Sequence, residues 1–581
     1  MKIKNIKYAA VALMLGMGMT SCSDFLDRPV EDNYNTENFY DGDDACISGV
    51  NYLYNSPWYD FQRGFIKVGE VMSGNMYWGS SPYLNFSTNG TDNDLVNMSY
   101  SLWAVIGHAN TVYESLQNAK NCSETTRNQC MGECLAWKAM AYFYLARTFG
   151  DVPIIHSNSA TLSAGDYNTL SKVEKSDVYD YIVLTLEKAI ELLPSTKSTS
   201  GRIDKYCAEG LLAKVYLTKA GVTGTLSKDD LSKAAEYAKD VIQNSGRELM
   251  ENYSDIFRGK NRFCDEILIA WRWTVGANWT GQNTLQSDLA PVGFDENGDC
   301  WGGYVGPSVD LMDAFGVSPA DNPSTRLDKD TRRKATIMMA GDTYDYFWRD
   351  RTMDNGQKGF NYLQFLYDKE YNSSSTGKLQ SATGANNVKH LYGDNADHEE
   401  EYGMATAYMK SAVPTPILRL SDVYLIYAEA EVLLGNPSEK LARDCYNHVH
   451  GRGVNWSDPD KTSLTFDDIW KERRLEFAGE GDRWYDFVRR SYYDVDACIK
   501  ELKAQRRNSL FNVDDAYKAY YESGYATWDG SKIQYDTNTA VPNVTAKSFT
   551  LPFPTEDVSL NPNLGSNAEP IHVDVRSTYS Y

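Results

Sequence analysis

Hydrophobic residues recur every three to four positions in three stretches of the chain, and each stretch divides into two such segments around a turn. This period is that of an amphipathic helix, so each stretch predicts a helix pair. The pairs read "ETTRNQCMGECLAWKAMAYFYLARTFGDVP" with "DVYDYIVLTLEKAIELLP", "DKYCAEGLLAKVYLTKAG" with "LSKAAEYAKDVIQ", and "ILRLSDVYLIYAEAEVLLGN" with "SEKLARDCYNHVHGR". An earlier segment, "LWAVIGHANTVYESLQNA", extends the same pattern.

Small residues on the predicted helices, such as Ala213, Ala428 and Ala430, let neighbouring helices approach closely. Irregular helix pairs of this kind are typical of a tetratricopeptide-like stack. The pattern therefore predicts a mainly α protein, and periodicity alone leaves an unrelated helical bundle open as the alternative.

The pattern changes between residues 251 and 415. A short apolar run, "EILIAWRW", predicts a strand, and loops rich in Gly, Asn, Asp and aromatic residues follow it. Loops on a rigid frame are where binding residues concentrate. We therefore predict a loop-rich, mixed α/β ligand-binding insertion at 251–415, between an N-terminal part at 22–250 and a C-terminal part at 416–581.

The first residues have the pattern of a secretory signal. Three lysines precede an apolar stretch at residues 8–19, which is too short to span a bilayer. The following Met19-Thr20-Ser21-Cys22 resembles a bacterial lipobox, so we expect residues 1–21 to be removed and Cys22 to carry the lipid anchor. An ordinary signal peptide with an incidental cysteine is the alternative.

Composition and charge exclude several classes of partner. The 581 residues carry a net charge of −22, so a nucleic-acid partner and a membrane bound by charge alone are both unexpected. Aromatic residues make up 13%, including 41 Tyr, a composition that suits binding surfaces. Nine cysteines besides Cys22 cannot all pair, and we interpret them mainly as small buried hydrophobic residues.

The sequence contains no recognisable catalytic or metal motif. The nucleophile elbow, the H-E-x-x-H zinc motif and the Walker A loop are all absent. The loop from Asp295 begins like a calcium loop but has Cys300 at its sixth position, so we expect no cofactor beyond a possible structural calcium ion. Glu472 and Glu476 share a helix face with nearby arginines, an arrangement that suits either an acid/base pair or a buried charge network.

Several motifs together resemble one family, the SusD/RagB outer-membrane nutrient-binding lipoproteins. In chain order they are "CSDFLDRPV", "GECLAWKAMAYFYLARTFGDVPII", "DKYCAEGLLAKVYL", "GPSVDLMDAF", "PTPILRLSDVYLIYAEAEVLLGN", "IWKERRLEFAGEGDRWYDFVRR" and "LPFPTEDVSLNPNL". One departure is "HVHGRGV", where the family usually has Val-Arg-x-Arg-Ala-Gly. The resemblance implies a SusD-like fold and a lipid-anchored protein on the cell surface. It favours the buried charge network for Glu472 and Glu476, because these residues recur in a family that shares its fold while its ligands differ. It also implies capture of oligosaccharides for a SusC-type TonB-dependent transporter.

The resemblance places the ligand surface in two regions that are distant in sequence, without fixing single residues. A sugar ring has an apolar face that an aromatic ring can cover, so exposed aromatic residues of these regions are the candidates. They are Tyr77, Trp78, Trp301, Tyr304, Tyr346 and Trp348, with Trp58 and Trp273 as substitutes and Asn75, Asp92 and Asn93 as a polar rim. A peptide receptor of the same family and a glycan-degrading enzyme are the alternatives.

Overall fold

Helices dominate the computed structural model, which describes residues 39–276, 278–295, 297–406, 408–537 and 543–581. The predicted signal segment and Cys22 lie outside the described residues. The described α-helices are α1 Asp43–Asn51, α2 Gln62–Ile66, α3 Asn93–Gln117, α4 Glu124–Phe149, α5 Asn158–Ala164, α6 Lys175–Leu192, α7 Lys205–Lys219, α8 Lys228–Asn244, α9 Leu285–Leu289, α10 Val309–Ala314, α11 Arg332–Thr336, α12 Tyr362–Tyr367, α13 Asn395–Tyr402, α14 Leu420–Leu433, α15 Lys440–Gly453, α16 Phe466–Phe477, α17 Arg483–Ala504, α18 Val513–Glu522, α19 Thr555–Leu560 and α20 Val575–Thr578.

The strands are short, and among the described residues they form five antiparallel two-stranded sheets. They are β1 Met76–Trp78, β2 Ile267–Trp271, β3 Val305–Pro307, β4 Ile337–Met339, β5 Thr343–Tyr344, β6 Phe360–Asn361, β7 Ala385–Asn387, β8 Thr415–Arg419, β9 Leu510–Phe511 and β10 Gln534–Tyr535. The pairs are β1 with β3, β2 with β8, β4 with β7, β5 with β6 and β9 with β10.

The long helices pack side by side in one continuous stack. Helix α3 packs on α4, α4 on α6, α6 on α7 and α7 on α8; α8 then packs on α14, and α14 on α15. Helix α8 shows why these sequences pair: Leu231, Ala234, Ala238 and Val241 recur at helical spacing and are buried. The predicted helix pairs and the mainly α fold are confirmed.

The predicted insertion begins and ends beside a strand pair. Strand β2, predicted from "EILIAWRW", lies near the start of the insertion and pairs with β8, which begins where the insertion ends, so that Ile267 lies opposite Arg419. Between these strands the chain builds its own aromatic packing, in which Trp348 contacts Phe294 and Phe360. These side chains belong to the same hydrophobic core as the helices.

The carboxylates of Glu472 and Glu476 lie inside the scaffold. An Arg332 nitrogen is 2.5 Å from an oxygen of Glu472 and 2.9 Å from one of Glu476, and Arg332 is fully buried. Arg419 and Arg452 contact the other Glu476 oxygen at 2.8 and 2.6 Å. This confirms that the two glutamates belong to a buried charge network.

The network keeps its carboxyl groups ionised. Burial alone would raise the pKa of Glu476, but the charges of Arg452, Arg419 and Arg332 outweigh it and hold that pKa well below its usual value. The pKa of Glu472 is lowered in the same way, because Arg332 and His450 outweigh the effect of burial.

Two further expectations concern the described part of the chain. Seven of its nine cysteines are buried and two are half-buried, and all nine are free thiols, which fits small apolar side chains. Across the same residues, no helix combines the length and the apolar character needed to cross a bilayer.

Candidate functional site

The pairing of β1 with β3 brings together the two distant regions predicted to form a ligand surface. Tyr77 lies opposite Gly306 and Trp78 opposite Val305. Val305 and Gly306 follow Trp301 and Tyr304 directly in the chain. The rings of Trp78 and Tyr304 meet edge to face with centroids 6.3 Å apart. Four of the predicted aromatic residues therefore lie in one neighbourhood.

Exposure separates these four rings. Trp301 is 40% and Tyr304 45% exposed, whereas Trp78 is only 9% exposed and lies beneath the Lys67 ammonium, 4.9 Å from its ring centroid. Tyr77 is half-buried. The assignment of Trp78 to an exposed platform is therefore wrong, and Trp301 and Tyr304 are the members able to present a broad ring surface to a ligand.

Trp301 lines a depression of about 250 Å³ and is held there by hydrogen bonds. Its indole nitrogen donates to a carboxylate oxygen of Asp288 at 2.9 Å, and its backbone nitrogen donates to the carbonyl of Ser287 at 3.0 Å. The next residue, Gly302, passes so close to the Asp288 backbone that an added Cβ would lie 2.1 Å from its carbonyl oxygen. Packing therefore requires glycine beside this tryptophan.

The floor of the depression is polar and charged. Arg63 clamps Asp288 with two hydrogen bonds, from Nε at 3.0 Å and from Nη2 at 2.8 Å, and the hydrogen bonding to Asp288 raises the pKa of Arg63. Tyr59 and Asp60 line the same depression, and partial burial raises the pKa of both. The Trp301 ring, with hydrogen-bond donors and acceptors around it, suits a ligand that carries hydroxyl groups on an apolar ring.

Two predicted aromatic residues of the insertion lie elsewhere, and one of them is a core residue. Trp348 is fully buried, its indole donates to the carbonyl of Phe294 at 3.0 Å, and Arg351 stacks on its ring at 3.7 Å. Its assignment to the ligand surface is therefore wrong. Tyr346 is half-buried beneath Arg258, whose guanidinium carbon is 4.2 Å from the ring centroid.

The predicted polar rim is divided between the interior and a helix terminus. Asn75 is fully buried, donates to Glu70 at 2.9 Å and accepts from Arg474 at 2.9 Å, so its assignment to an exposed rim is wrong. Asp92 is the N-cap of α3, where its carboxylate accepts the first free backbone N–H groups. Asn93 is exposed at the start of the same helix.

Several residues around Trp301 were not predicted from the sequence. Tyr59, Arg63 and Asp288 are among them. Trp279, which is 45% exposed, was not predicted either, and its segment 279–281 packs against the segment 56–61 that contains Tyr59. Trp279 lies in a Gly- and Asn-rich loop, the signal that could have identified it. The substitutes do not fit an exposed platform, because Trp58 and Trp273 are buried and bonded to Leu53 and Thr415.

In the loop from Asp295, where a calcium ion was predicted as possible, some of the candidate ligand oxygens already accept hydrogen bonds from the protein. Asp295 is buried, and it accepts from the Cys300 thiol at 3.4 Å and from the backbone of Asp299 at 3.3 Å. Asp299 accepts from the backbone of Met409 at 2.9 Å. A calcium ion at this loop stays a prediction.

Comparison with known proteins assigns the chain to a family. A model described as "SusD family" matches residues 265–570, and one described as "Starch-binding associating with outer membrane" matches residues 43–217. A SusD-like protein of Bacteroides ovatus is 32% identical to this chain, with 98% of each chain covered. The chain belongs to the SusD family.

Solved structures of the SusD fold agree with this assignment. A structure determined with xylogluco-oligosaccharide has a TM-score of 0.74 and 28% identity, covering 91% of this chain and all of the other. A laminarin-binding SusD-like protein has a TM-score of 0.60 and 21% identity, with 90% and 98% covered, and at that identity it supports the fold alone. The SusD-like fold predicted from the motifs is confirmed.

Proposed function

We propose that this protein binds oligosaccharides at the depression around Trp301 and passes them to a SusC-type TonB-dependent transporter of the outer membrane. The observation that carries the proposal is the exposed Trp301 ring, held by Asp288 beside Tyr304. Membership of the SusD family supports the same function, since a relative with 28% identity was solved with xylogluco-oligosaccharide.

The energetics of such a platform suit a protein that must release its ligand. Covering about 100 Å² of apolar surface contributes at most ~2.5 kcal/mol, and ordering the ligand reduces this. Two or three contacts of this kind give a Kd of roughly micromolar to millimolar. Affinities in this range allow both capture and transfer.

The carboxylates near the ring favour binding over hydrolysis. Asp60 and Asp288 line the depression, but Asp288 is committed to the Arg63 guanidinium and the Trp301 indole. Glu472 and Glu476 are buried in the scaffold. We therefore propose a binding protein without enzymatic activity; new reducing ends in a glycan incubated with the protein would contradict this.

The lipid anchor and the surface location belong to the same proposal. Cys22 is proposed to carry the acyl chains, because it follows the signal segment and a lipobox-like sequence. Two or more acyl chains attach a protein stably to a membrane. Cys22→Ala should move the folded protein from the outer-membrane fraction to the soluble fraction, and a variant that still pellets after a high-salt wash would contradict the anchor.

Titration calorimetry of the mature chain tests the ligand surface. The panel begins with xylogluco-oligosaccharide and laminarin and includes a peptide mixture for the alternative receptor. Trp301→Ala should weaken glycan binding about tenfold, the equivalent of ~1.4 kcal/mol, without lowering the melting temperature. The control is Trp456→Ala, which removes a 61% exposed tryptophan just after α15.

Two outcomes would contradict the proposal. If folded Trp301→Ala binds the glycan as the wild type does, the platform lies elsewhere on the protein. If the peptides bind saturably and no glycan does, the peptide-receptor alternative is correct.

A further inference from the structure

A second, positively charged depression lies between α16 and the end of α17. Its volume is about 720 Å³, and it shares no lining residue with the depression around Trp301. Helix α16 lines it with positions 467, 470, 471 and 474, which recur at helical spacing on one face. Helix α17 loses helical geometry at Asp494 (φ −147°, ψ 60°), and positions 497, 500, 501 and 504 beyond this point line the opposite wall.

The charges of this basic pocket contrast with the acidic chain around it. Five cations line it, namely Lys471, Arg474, Arg483, Arg490 and Lys500, together with the carboxylates of Asp467 and Glu501. Outside the lining, Asp310 pairs with Arg474 at 2.8 Å and Asp494 with Arg490 at 3.4 Å. Lys471 and Lys500 are exposed, and within the described residues no acidic side chain pairs with either of them. These two lysines attract anions to this place on a protein of net charge −22.

The carboxylate of Glu501 contacts three side chains of the pocket. Glu501 accepts the Trp470 indole at 2.9 Å, lies 3.3 Å from an Arg483 nitrogen and is 3.6 Å from one of Arg490. In the described part of the chain, the Nε atoms of Arg483 and Arg490 are buried without a hydrogen-bond acceptor. The other nitrogens of these guanidiniums already donate, from Arg483 to the carbonyl of Trp470 at 3.0 Å and from Arg490 to Asp494 at 3.4 Å. Because a buried donor without a partner is costly, the two Nε–H groups are the ones that an acceptor from a ligand would satisfy.

The burial of Arg483 strengthens this argument. Its side chain is 2% exposed, and burial lowers the pKa of its guanidinium to about 10 despite the nearby Glu501 and Asp486. An added anion would offset this loss of hydration. Trp470 forms an apolar surface beneath both arginines, with guanidinium carbons 3.9 and 4.8 Å from its ring centroid.

We infer that the basic pocket is a binding site for a small organic acid, such as a uronic acid, whose carboxylate contacts Arg483 and Arg490. The volume lies within the usual range of small-molecule sites and exceeds what an inorganic ion needs. Planar guanidiniums pair well with carboxylates. Trp470 is 4% exposed and is covered by Arg483, so it supports the two arginines from below and does not itself contact the ligand. The site is separate from the proposed oligosaccharide surface and does not depend on it.

Titration of the mature chain with sodium glucuronate at constant ionic strength tests the inference. Glucuronate should bind saturably and raise the melting temperature, whereas neutral glucose at the same concentration should not. Lys471→Gln combined with Arg490→Gln should weaken glucuronate binding at least tenfold. These changes leave the more deeply buried Arg483 intact, and a melt of each variant verifies that it is folded.

A charge-matched control separates the pocket from general electrostatics. Lys440→Gln combined with Arg443→Gln removes two positive charges from α15 and should leave glucuronate binding unchanged. The inference is overturned if glucuronate does not saturate, or if the control weakens binding as much as the pocket variant does. A response to sulfate equal to that to glucuronate would overturn the assignment to an organic acid.

Discussion

Arginine–carboxylate pairs occur in two very different regions of this protein, the buried charge network around Glu476 and the open depression around Trp301. In the network, Arg332 is fully buried and bonded to three carboxylates. In the depression, Arg63 holds Asp288 with similar geometry, but the Arg63 side chain is 50% exposed.

The difference shows that burial decides what such a pair does. A buried charge must be paired in the native state, so the loss of one partner leaves a desolvated charge and destabilises the fold. In the depression only Asp288 is buried, and the loss of its carboxylate costs little because water can solvate the half-exposed Arg63 guanidinium that remains. At the depression, the Arg63–Asp288 pair instead fixes the orientation of Trp301.

Removing a carboxylate from the network should have the largest effect on stability. Glu476→Gln leaves Arg332, Arg419 and Arg452 with one negative charge fewer, and we expect the free energy of unfolding to fall by roughly 3–5 kcal/mol. Urea denaturation measures it. The matched control is Glu191→Gln, an exposed pair with Lys188, which should change stability by less than ~1 kcal/mol.

An equal, small change in both variants would contradict the contrast between buried and exposed pairs. A large loss for Glu476→Gln alone would support it.

The second largest effect on stability is expected from acid, which should weaken the buried charge network. The pKa values of Glu476, Glu480 and Asp486 are held below their usual values, because arginines, joined by Lys389 at Glu480, outweigh the effect of burial. Groups with lowered native pKa values stabilise the fold fully above their unfolded pKa values, near 4.5 for Glu and 3.8 for Asp, and lose this contribution as the pH falls. The free energy of unfolding should therefore fall between pH 5.5 and 3.5.

The Glu476→Gln variant isolates the contribution of the network to this pH dependence. Its loss of stability over the same pH interval should be smaller than that of the wild type, because one of the titrating carboxylates is gone. Parallel pH profiles of the two proteins would show that other groups cause the acid effect.

The smallest effect on stability is expected at the depression. Asp288→Ala removes the acceptor of both Arg63 and Trp301, and it should change the free energy of unfolding by about 1 kcal/mol or less. Glycan affinity should fall by about fivefold, which corresponds to ~1 kcal/mol. The double variant with Trp301→Ala should bind no worse than Trp301→Ala alone, since Asp288 acts through the ring.

Additive losses in that double variant would mean that Asp288 contacts the ligand directly. A loss of stability as large as that of Glu476→Gln would mean that the pair belongs to the scaffold.

Most of the scaffold could be predicted from the sequence, because its helices carry their own period. Leu231, Ala234 and Ala238 recur at helical spacing, so local sequence was enough to place α8. The charge network could be predicted for a similar reason: Glu472 and Glu476 lie one helical turn apart beside Arg473. Their partners Arg332 and Arg419 lie far away in sequence and could not be identified.

The site could be predicted only in part, because exposure in loops depends on packing between distant residues. Trp301 and Trp348 look alike in sequence, since each lies in a loop rich in polar and glycine residues and near other aromatic residues. In the structure Trp301 is 40% exposed, whereas Phe294, Phe360 and Phe365 surround Trp348. The neighbouring sequence predicts neither the exposure of Trp301 nor the burial of Trp348. The pairing of β1 with β3 likewise joins two segments more than 200 residues apart.

The β2–β8 pair holds together the two ends of a long excursion of the chain. The residues at these ends, Ile267 and Arg419, are neighbours, so the distance that the excursion must close does not grow with its length. Doubling the length of a flexible loop costs only ~0.6 kcal/mol. Loops within the excursion can therefore be lengthened or shortened while the helical stack keeps its register, provided that Arg332 keeps Glu472 and Glu476 and that Arg419 keeps Glu266 and Glu476.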